Sequence, residues 1–409
     1  LSDTLFICEV KMRTFQLSKP VYIKSGFTIV GPKEGDGNFG DKFDIVLKND
    51  IWCEKSFEKC ESKMHRDAVS GAIRKAGLKR EDIDIMLGGD LLNQLAATSL
   101  AARNFPCPFL GLYNACSTFS ESVIVGGLLI AGGFANNVTC STSSHFASAE
   151  RQYRFPLELG NQRTPTSQWT VTGAGCTVLS DEMPSMMNER VYEDDIIAID
   201  DSMNIDKKTL EKYKKSIEKQ KKVIDKEKSN IIEINFEKES NDYVKPNTHY
   251  VTLTGGSIGK VVDLGIDDEA NMGAAMAPAA CDTIVTHFCD SGRSPDYYDG
   301  IFTGDLGRHG KEMLEYLLSK EGITLPKYYM DCGASFFTPE QKTFQGGSGA
   351  GCVNTVFNSY ILKKMQKGEL KRVLVVPTGA LLNKDTPLQK ETIPGISHAF
   401  TLESHPFLS

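Results

Sequence analysis

The chain has little of what most often announces a function. Only two of its 409 residues are Trp and seven are His. No uninterrupted apolar run approaches the ~20 residues that a membrane-crossing helix needs. The longest candidate, 123–135, is short and broken by glycine. No signal peptide is expected, and a start at Leu1 in place of Met points to a trimmed N-terminus. Positive charge is not in excess: 46 Lys and Arg face 53 Asp and Glu, a formal −7. That balance excludes the broad basic face of a nucleic-acid-binding protein, and it means that any anionic ligand must be held by local donors. The eleven cysteines, an odd number, contain no CxxC pair, which predicts reduced thiols in a reducing compartment. Cys281, His287 and Cys289 fit no common zinc spacing and are read as a helix face, so no metal and no cofactor are expected. With 40% hydrophobic and 24% charged residues the chain is neither disordered nor fibrous. Its length allows about two or three domains.

What is present begins with a repeat. Residues 77–91 and 292–306 align at one offset of 215, matching Gly77 with Gly292, Asp84 with Asp299, Gly89 with Gly304, Asp90 with Asp305 and Leu91 with Leu306. Each segment follows an amphipathic helix, near 64–76 and 274–288, that ends at a Gly suited to a C-terminal cap, and each then enters a short buried strand. Looser pairs follow. Residues 137–143 and 372–378 read as β-branched strands, and 173–180 and 396–403 as strands near the ends of two halves. Strands alternating with helices predict an α/β protein of two duplicated halves, 1–200 and 248–409. Between them, 201–247 is dense in Lys, Glu and Asp. Leu210, Tyr213, Ile217 and Ile224 form one stripe, and Glu211–Lys215 and Glu218–Lys222 are i,i+4 pairs, so a solvated inserted helix is expected there.

Four places carry candidate chemistry. Cys116 lies in Gly111-Leu-Tyr-Asn-Ala-Cys-Ser-Thr-Phe119, between an expected strand at 109–113 and a helix running to about 130. A thiol at a helix N-terminus is either an activated nucleophile or anion-site residue, or a small plug at the helix entry; the local sequence leaves both open. Gly346-Gly-Ser-Gly-Ala-Gly351, with Ser348, precedes a helix expected at 353–364 and suits a nest of backbone N–H groups or tight packing. Neither it nor 255–260 is a P-loop. The polar segment 144–163 holds His145, Arg151, Arg154 and Arg163 near Tyr153, Phe155 and Trp169. Such a mixture suits a flat aromatic anion, or it is an ordinary surface loop. His309 falls at a strand-to-helix turn four residues past Asp305, and His398 in a core strand as a structural histidine.

Residues 76–84, 114–119 and 173–179 resemble signatures of the thiolase and β-ketoacyl synthase III superfamily. Within it, 89–94, 109–119, 143–151, 303–306, 346–351 and 378–382 are similar to the stage V sporulation protein AD family. The resemblance implies the five-layer thiolase-like fold and binding of dipicolinic acid (pyridine-2,6-dicarboxylate), in one form as its calcium chelate. It also implies membrane subunits that move this ligand in sporulation and germination, a peripheral place at the inner spore membrane, and a dimer through a sheet edge. Condensing enzymes of the superfamily pair a Cys with a His and a second His or Asn. Cys116 matches the first. Gly-Asp-Leu stands in the His motif, with His309 displaced, and Gly347 stands in the Asn position. These departures predict a binding protein rather than an enzyme, with Cys116, His145, Arg154, Asp305, His309 and Ser348 around the ligand. The competing expectation is an acyltransferase acylated at Cys116 by acyl-CoA.

Overall fold

The computed structural model describes residues 13–153, 163–184 and 247–407. All of them belong to one unit made of Leu1–Met186 and Asn247–Ser409. Arg154 and the expected inserted helix with Leu210, Tyr213, Ile217 and Ile224 lie outside the described residues. The strands are β1 Thr14–Val30, β2 Ile45–Val46, β3 Ile85–Gly89, β4 Phe109–Gly111, β5 Asn137–Ser144, β6 Trp169–Thr170, β7 Gly173–Ser180, β8 His249–Ser257, β9 Gly300–Gly304, β10 Tyr329–Asp331, β11 Gly347–Ser348, β12 Arg372–Ala380, β13 Gly395–Ser397 and β14 Ala399–Pro406.

Ten of them form one hydrogen-bonded path, β10-β9-β12-β14-β8-β1-β7-β5-β3-β4. Outward from the centre, the first half contributes β1, β7, β5, β3 and β4, and the second β8, β14, β12, β9 and β10. These are the same chain positions in the same order. In each half the last strand, β7 or β14, runs antiparallel to both neighbours. The remaining three pair in parallel. The two halves meet where β1 and β8 pair antiparallel. This is the thiolase-like α/β fold of two duplicated halves, and the strands β3 and β9 carry the 215-residue offset to the residue.

Parallel neighbours need crossovers, and helices supply them. Phe57–Lys75 leads from the first strands into β3, and Met272–Ser291 leads from β8 into β9. Ser56 caps the first, its hydroxyl accepting from the Lys59 N–H at 3.3 Å. Both helices stop where glycine takes a left-handed conformation, Gly77 at φ 72° and Gly292 at φ 64°, as a chain without Cβ does most readily. All eight residues of β7 and eight of the nine in β12 are buried. Strands covered on both faces have no reason to alternate polar and apolar residues.

Two expected elements differ. Residues 396–403 form two strands, β13 and β14, interrupted at His398, because β13 pairs with the far end of β12 while β14 pairs with its start. The helix expected at 353–364 spans Ala350–Val356, a wider turn Phe357–Ile361, and Leu362–Gln366. Asn354 and Asn358 tie it to β7: Asn354 Nδ2 donates to the Gly175 carbonyl at 2.8 Å, and Asn358 Oδ1 accepts from Thr177 Oγ1 at 2.9 Å.

At the centre of the core three fully buried rings meet. Phe119, on helix Thr118–Ala131, lies 5.3 Å from Phe357 and 5.8 Å from Phe400, and the last two are 5.7 Å apart. One ring comes from the first half and two from the second. The helix that begins just after Cys116 is therefore fixed to the opposite half.

Candidate functional site

Cys116 occupies the single turn Ala115–Ser117 that leads into helix Thr118–Ala131. Ala115 has φ 49°, a left-handed conformation unusual for a residue with a Cβ. The turn thereby brings the thiol to the helix N-terminus, where the dipole favours negative charge. Cys116 is 6% exposed. The ten cysteines among the described residues stand as thiols rather than in disulfides.

The thiol opens on a cleft lined by residues from both halves, including Leu91, Tyr113, Tyr153, Met272, Ser348 and Leu382. The cavity measures about 40 Å³, room for a few waters. Its mouth is framed by two phenols, Tyr113 and Tyr153, whose hydroxyl oxygens are 3.5 Å apart, and Tyr153 OH donates to the Leu91 carbonyl. Burial raises both phenol pKa values, so both stay neutral. Ser348 belongs to β11, which pairs in parallel with β6. The next residue, Gly349, has φ 114°, and a Cβ there would stand 2.7 Å from Ser144 Oγ. Close packing accounts for this glycine, and the Gly351 N–H is already given to Ser144 Oγ at 3.1 Å. The 346–351 loop is thus a packed wall rather than an open nest of amides.

The structure brings Cys116 and Ser348 together in the cleft lining, and His145, Asp305 and His309 are not among its lining residues. His309 is exposed in the first turn of helix Gly307–Lys320, whose buried stripe is Gly307, Gly310, Leu314 and Leu318. A residue between the first two points to solvent. His145 faces a different cavity. Its Nδ1 accepts from the Ala147 N–H at 3.2 Å, which leaves Nε2 to donate to the Asp50 carbonyl at 2.7 Å. Asp305 is fully buried, with φ 72°. Burial, then the neighbouring Asp331, pushes its pKa well up. The two halves differ in which carboxyl receives the backbone N–H groups after the Gly-Asp-Leu strand. Asp90, the counterpart of Asp305, accepts from the backbone N–H of Leu92 at 2.8 Å and of Thr98 at 2.7 Å. In the second half Asp331 takes that role, accepting from Leu306, Gly307 and Ala334 N–H at 3.2, 3.0 and 2.8 Å.

Of the basic groups near the polar segment, Arg151 pairs with Glu58, and Arg163 lies over the rings of Trp169 and Phe344 at 5.1 and 5.4 Å. Tyr153 and Ala149, one helical turn apart on Phe146–Tyr153, face the Cys116 cleft. Phe146 and Ala147 face the other cavity. Arg154, the next residue after Tyr153, is outside the described residues. Sequence reasoning placed Tyr153 beside a flat aromatic anion and missed Tyr113 and Met272 as lining residues. The i,i+4 spacing of Ala149 and Tyr153 was the available signal for one wall; Met272 had none.

His398 is buried with both ring nitrogens engaged: the Asn114 side-chain amide is 3.1 Å from Nε2, and the Gly259 N–H donates to Nδ1 at 3.0 Å. Burial lowers its pKa to about 4, that of His287 to about 4 and that of His65 to about 3. In the unfolded chain each imidazole takes up a proton near pH ~6.5. Between that pH and about 4 the unfolded state binds more protons, so stability falls as pH drops through this window. The melting temperature is expected to decline steadily from pH 7 to 4.5, and His398→Gln should make the decline shallower. An unchanged slope in that variant would show that His398 is solvated.

A family model for stage V sporulation protein AD matches residues 11–208 and 241–403. The chain belongs to the stage V sporulation protein AD family. It is 37% identical over 391 residues to the stage V sporulation protein AD of Bacillus subtilis (strain 168), covering 96% of each chain. Among solved structures it resembles the tetronic acid condensing enzyme AbyA1, with TM-score 0.52 and 14% identity over 93% of this chain and 99% of that one. It also resembles cerulenin-bound OleA of Xanthomonas campestris, with TM-score 0.53 and 12% identity over 95% and 99%. At such identities these two likenesses concern the fold. Family membership makes this a sporulation protein. No helix among the described residues is long and apolar enough to cross a membrane.

Proposed function

We propose that this chain binds dipicolinic acid in the Cys116 cleft and carries out no reaction on it. In this reading it is a peripheral component of the machinery that moves this ligand across the inner spore membrane. Membrane subunits are its partners, and it works as a dimer. The observation that carries the reading is the make-up of the cleft. Cys116, Tyr113, Tyr153, Thr170 and Ser348 present a thiol and hydroxyls, and Leu91, Met272 and Leu382 supply apolar walls. Among the described lining residues there is neither imidazole nor carboxylate. Polar groups beside apolar walls suit a flat ring that carries carboxylates. In this reading the ring displaces Tyr113, which is 40% exposed, because the cavity of about 40 Å³ is smaller than the ligand. Titration calorimetry with dipicolinate tests the reading. Heat that saturates is expected, and none at millimolar ligand with folded protein would refute it.

One observation favours a second reading: the left-handed Ala115 presents Cys116 at a helix N-terminus as a nucleophile would be presented. If the thiol accepts acyl groups, incubation with acetyl-CoA adds about 42 Da, the mass of one acetyl group, and Cys116→Ala abolishes the gain. The binding reading predicts no added mass.

A further inference from the structure

We propose that the second cavity, on the far side of helix Phe146–Tyr153 and β6 from Cys116, is a separate binding site for a small organic ammonium ion. Residues of β6 alternate faces: Thr170 lines the Cys116 cleft and Trp169 lines this cavity. The cavity measures about 500 Å³, within the range of small-molecule sites.

Its floor holds a fully buried carboxyl. Glu34 Oε1 accepts from the Thr172 N–H at 3.0 Å, and Oε2 has no hydrogen-bond partner. Gly31 allows the carboxyls to pack close. A Cβ there would stand 2.6 Å from Glu34 Oε2 and 3.0 Å from Asp50 Oδ1, so both carboxyl oxygens lie against this glycine. Asp36 and Asp50 are exposed at the rim. The walls are rings: Phe57 and His145 lie 5.1 Å apart, and Phe146 stacks on Trp169 at 3.6 Å. A buried acceptor that lacks a donor, acidic groups at the entrance and aromatic walls together favour a cation with an apolar body.

Charge fixes the class further. Lys33 Nζ is engaged by the wall, donating to the Gln341 carbonyl at 3.1 Å and lying 4.3 Å over the Trp169 ring. Lys33 and Arg163 leave Glu34, Asp36 and Asp50 one negative charge in excess when all are ionised, which a monocation balances. A metal ion is disfavoured, because no three His, Cys, Asp or Glu among the described residues converge as ligands. A dianion such as dipicolinate would meet the acidic rim, so the two cavities differ in the charge they select.

Burial pushes the Glu34 pKa up to about 8, with Asp50 adding to the rise. In the empty cavity at neutral pH the acid therefore holds its proton. An ammonium ion stabilises the carboxylate, so binding releases a proton to solvent. Affinity then strengthens as pH rises toward about 8. Lys33 and Asp50 act on this group electrostatically, and Asp36 and His145 line the same cavity. The His145 pKa is lowered by burial, so this imidazole stays neutral through that range.

Benzylamine is the probe, with benzyl alcohol as its neutral match, followed by calorimetry on the full chain. Benzylamine is expected to bind at least tenfold more tightly than benzyl alcohol and to release a proton at pH 7, detected with buffers of different ionisation heat. Glu34→Gln, nearly the same shape, should weaken benzylamine at least tenfold while the protein keeps its fold by circular dichroism. Asp50→Asn at the rim should do so to a lesser degree. Saturating dipicolinate should leave benzylamine binding unchanged, which separates this site from the Cys116 cleft. Equal binding of amine and alcohol, equal binding by Glu34→Gln, or no heat up to about 10 mM amine would each overturn the proposal.

Discussion

Phe119→Ala is expected to lower the unfolding free energy by about 3–5 kcal/mol, the usual cost of emptying a fully buried aromatic site. Phe119 packs between Phe357 and Phe400 and is 0% exposed. Few neighbours can close the gap, because the three rings come from different elements of both halves. Phe119→Leu keeps most of the volume and should cost much less. Urea unfolding followed by circular dichroism reads both changes. A loss below about 1 kcal/mol for the alanine variant would mean that the Cys116 helix is not anchored by the opposite half, and the cleft's geometry would then have another origin.

The second large effect concerns affinity. Arg154→Ala is expected to weaken dipicolinate binding at least about tenfold, since losing one hydrogen-bonded charge partner costs ~2–5 kcal/mol. Lys222→Ala, in the charged segment, should change it by less than about twofold, as a solvated charge does. The contrast follows from the protein's formal −7, which leaves affinity for a dianion to a few local donors. The described walls of the cleft contain no basic side chain. Equal effects of the two changes would remove Arg154 from the site and direct attention to the wall formed by Ser348 and Gly349.

How legible this was in the sequence depended on what each residue needed. The duplication was legible because a buried strand ending on Gly-Asp-Leu imposes the same residues twice; β3 and β9 fall on the 215-residue offset without adjustment. The glycine stops at Gly77 and Gly292 were legible because a left-handed cap selects glycine. The turn at Cys116 was legible as a strand-to-helix junction, although its strand ends at Gly111 rather than Tyr113. The outward direction of His309 was also written in the chain, since it falls between Gly307 and Gly310 on a helix whose inner stripe continues through Leu314. Proximity to Asp305 in sequence had obscured it. His145 could not have been placed from sequence. It follows Ser144 at the end of β5, and which cavity it faces depends on how helix Phe146–Tyr153 packs against β6. Asp305 looks like Asp90 in sequence, yet the partner N–H groups of the second half turn to Asp331, a residue that no pattern connects to it.

The central claim is that the Cys116 cleft holds dipicolinate without bonding to it. A crystal structure of the protein with saturating dipicolinate tests this most directly. The account predicts a pyridine ring between Tyr113 and Tyr153, its carboxylates toward Cys116 and Ser348, and an intact thiol. Dipicolinate in the Glu34 cavity, a covalent adduct on Cys116, or a cleft left unchanged at saturation would contradict it.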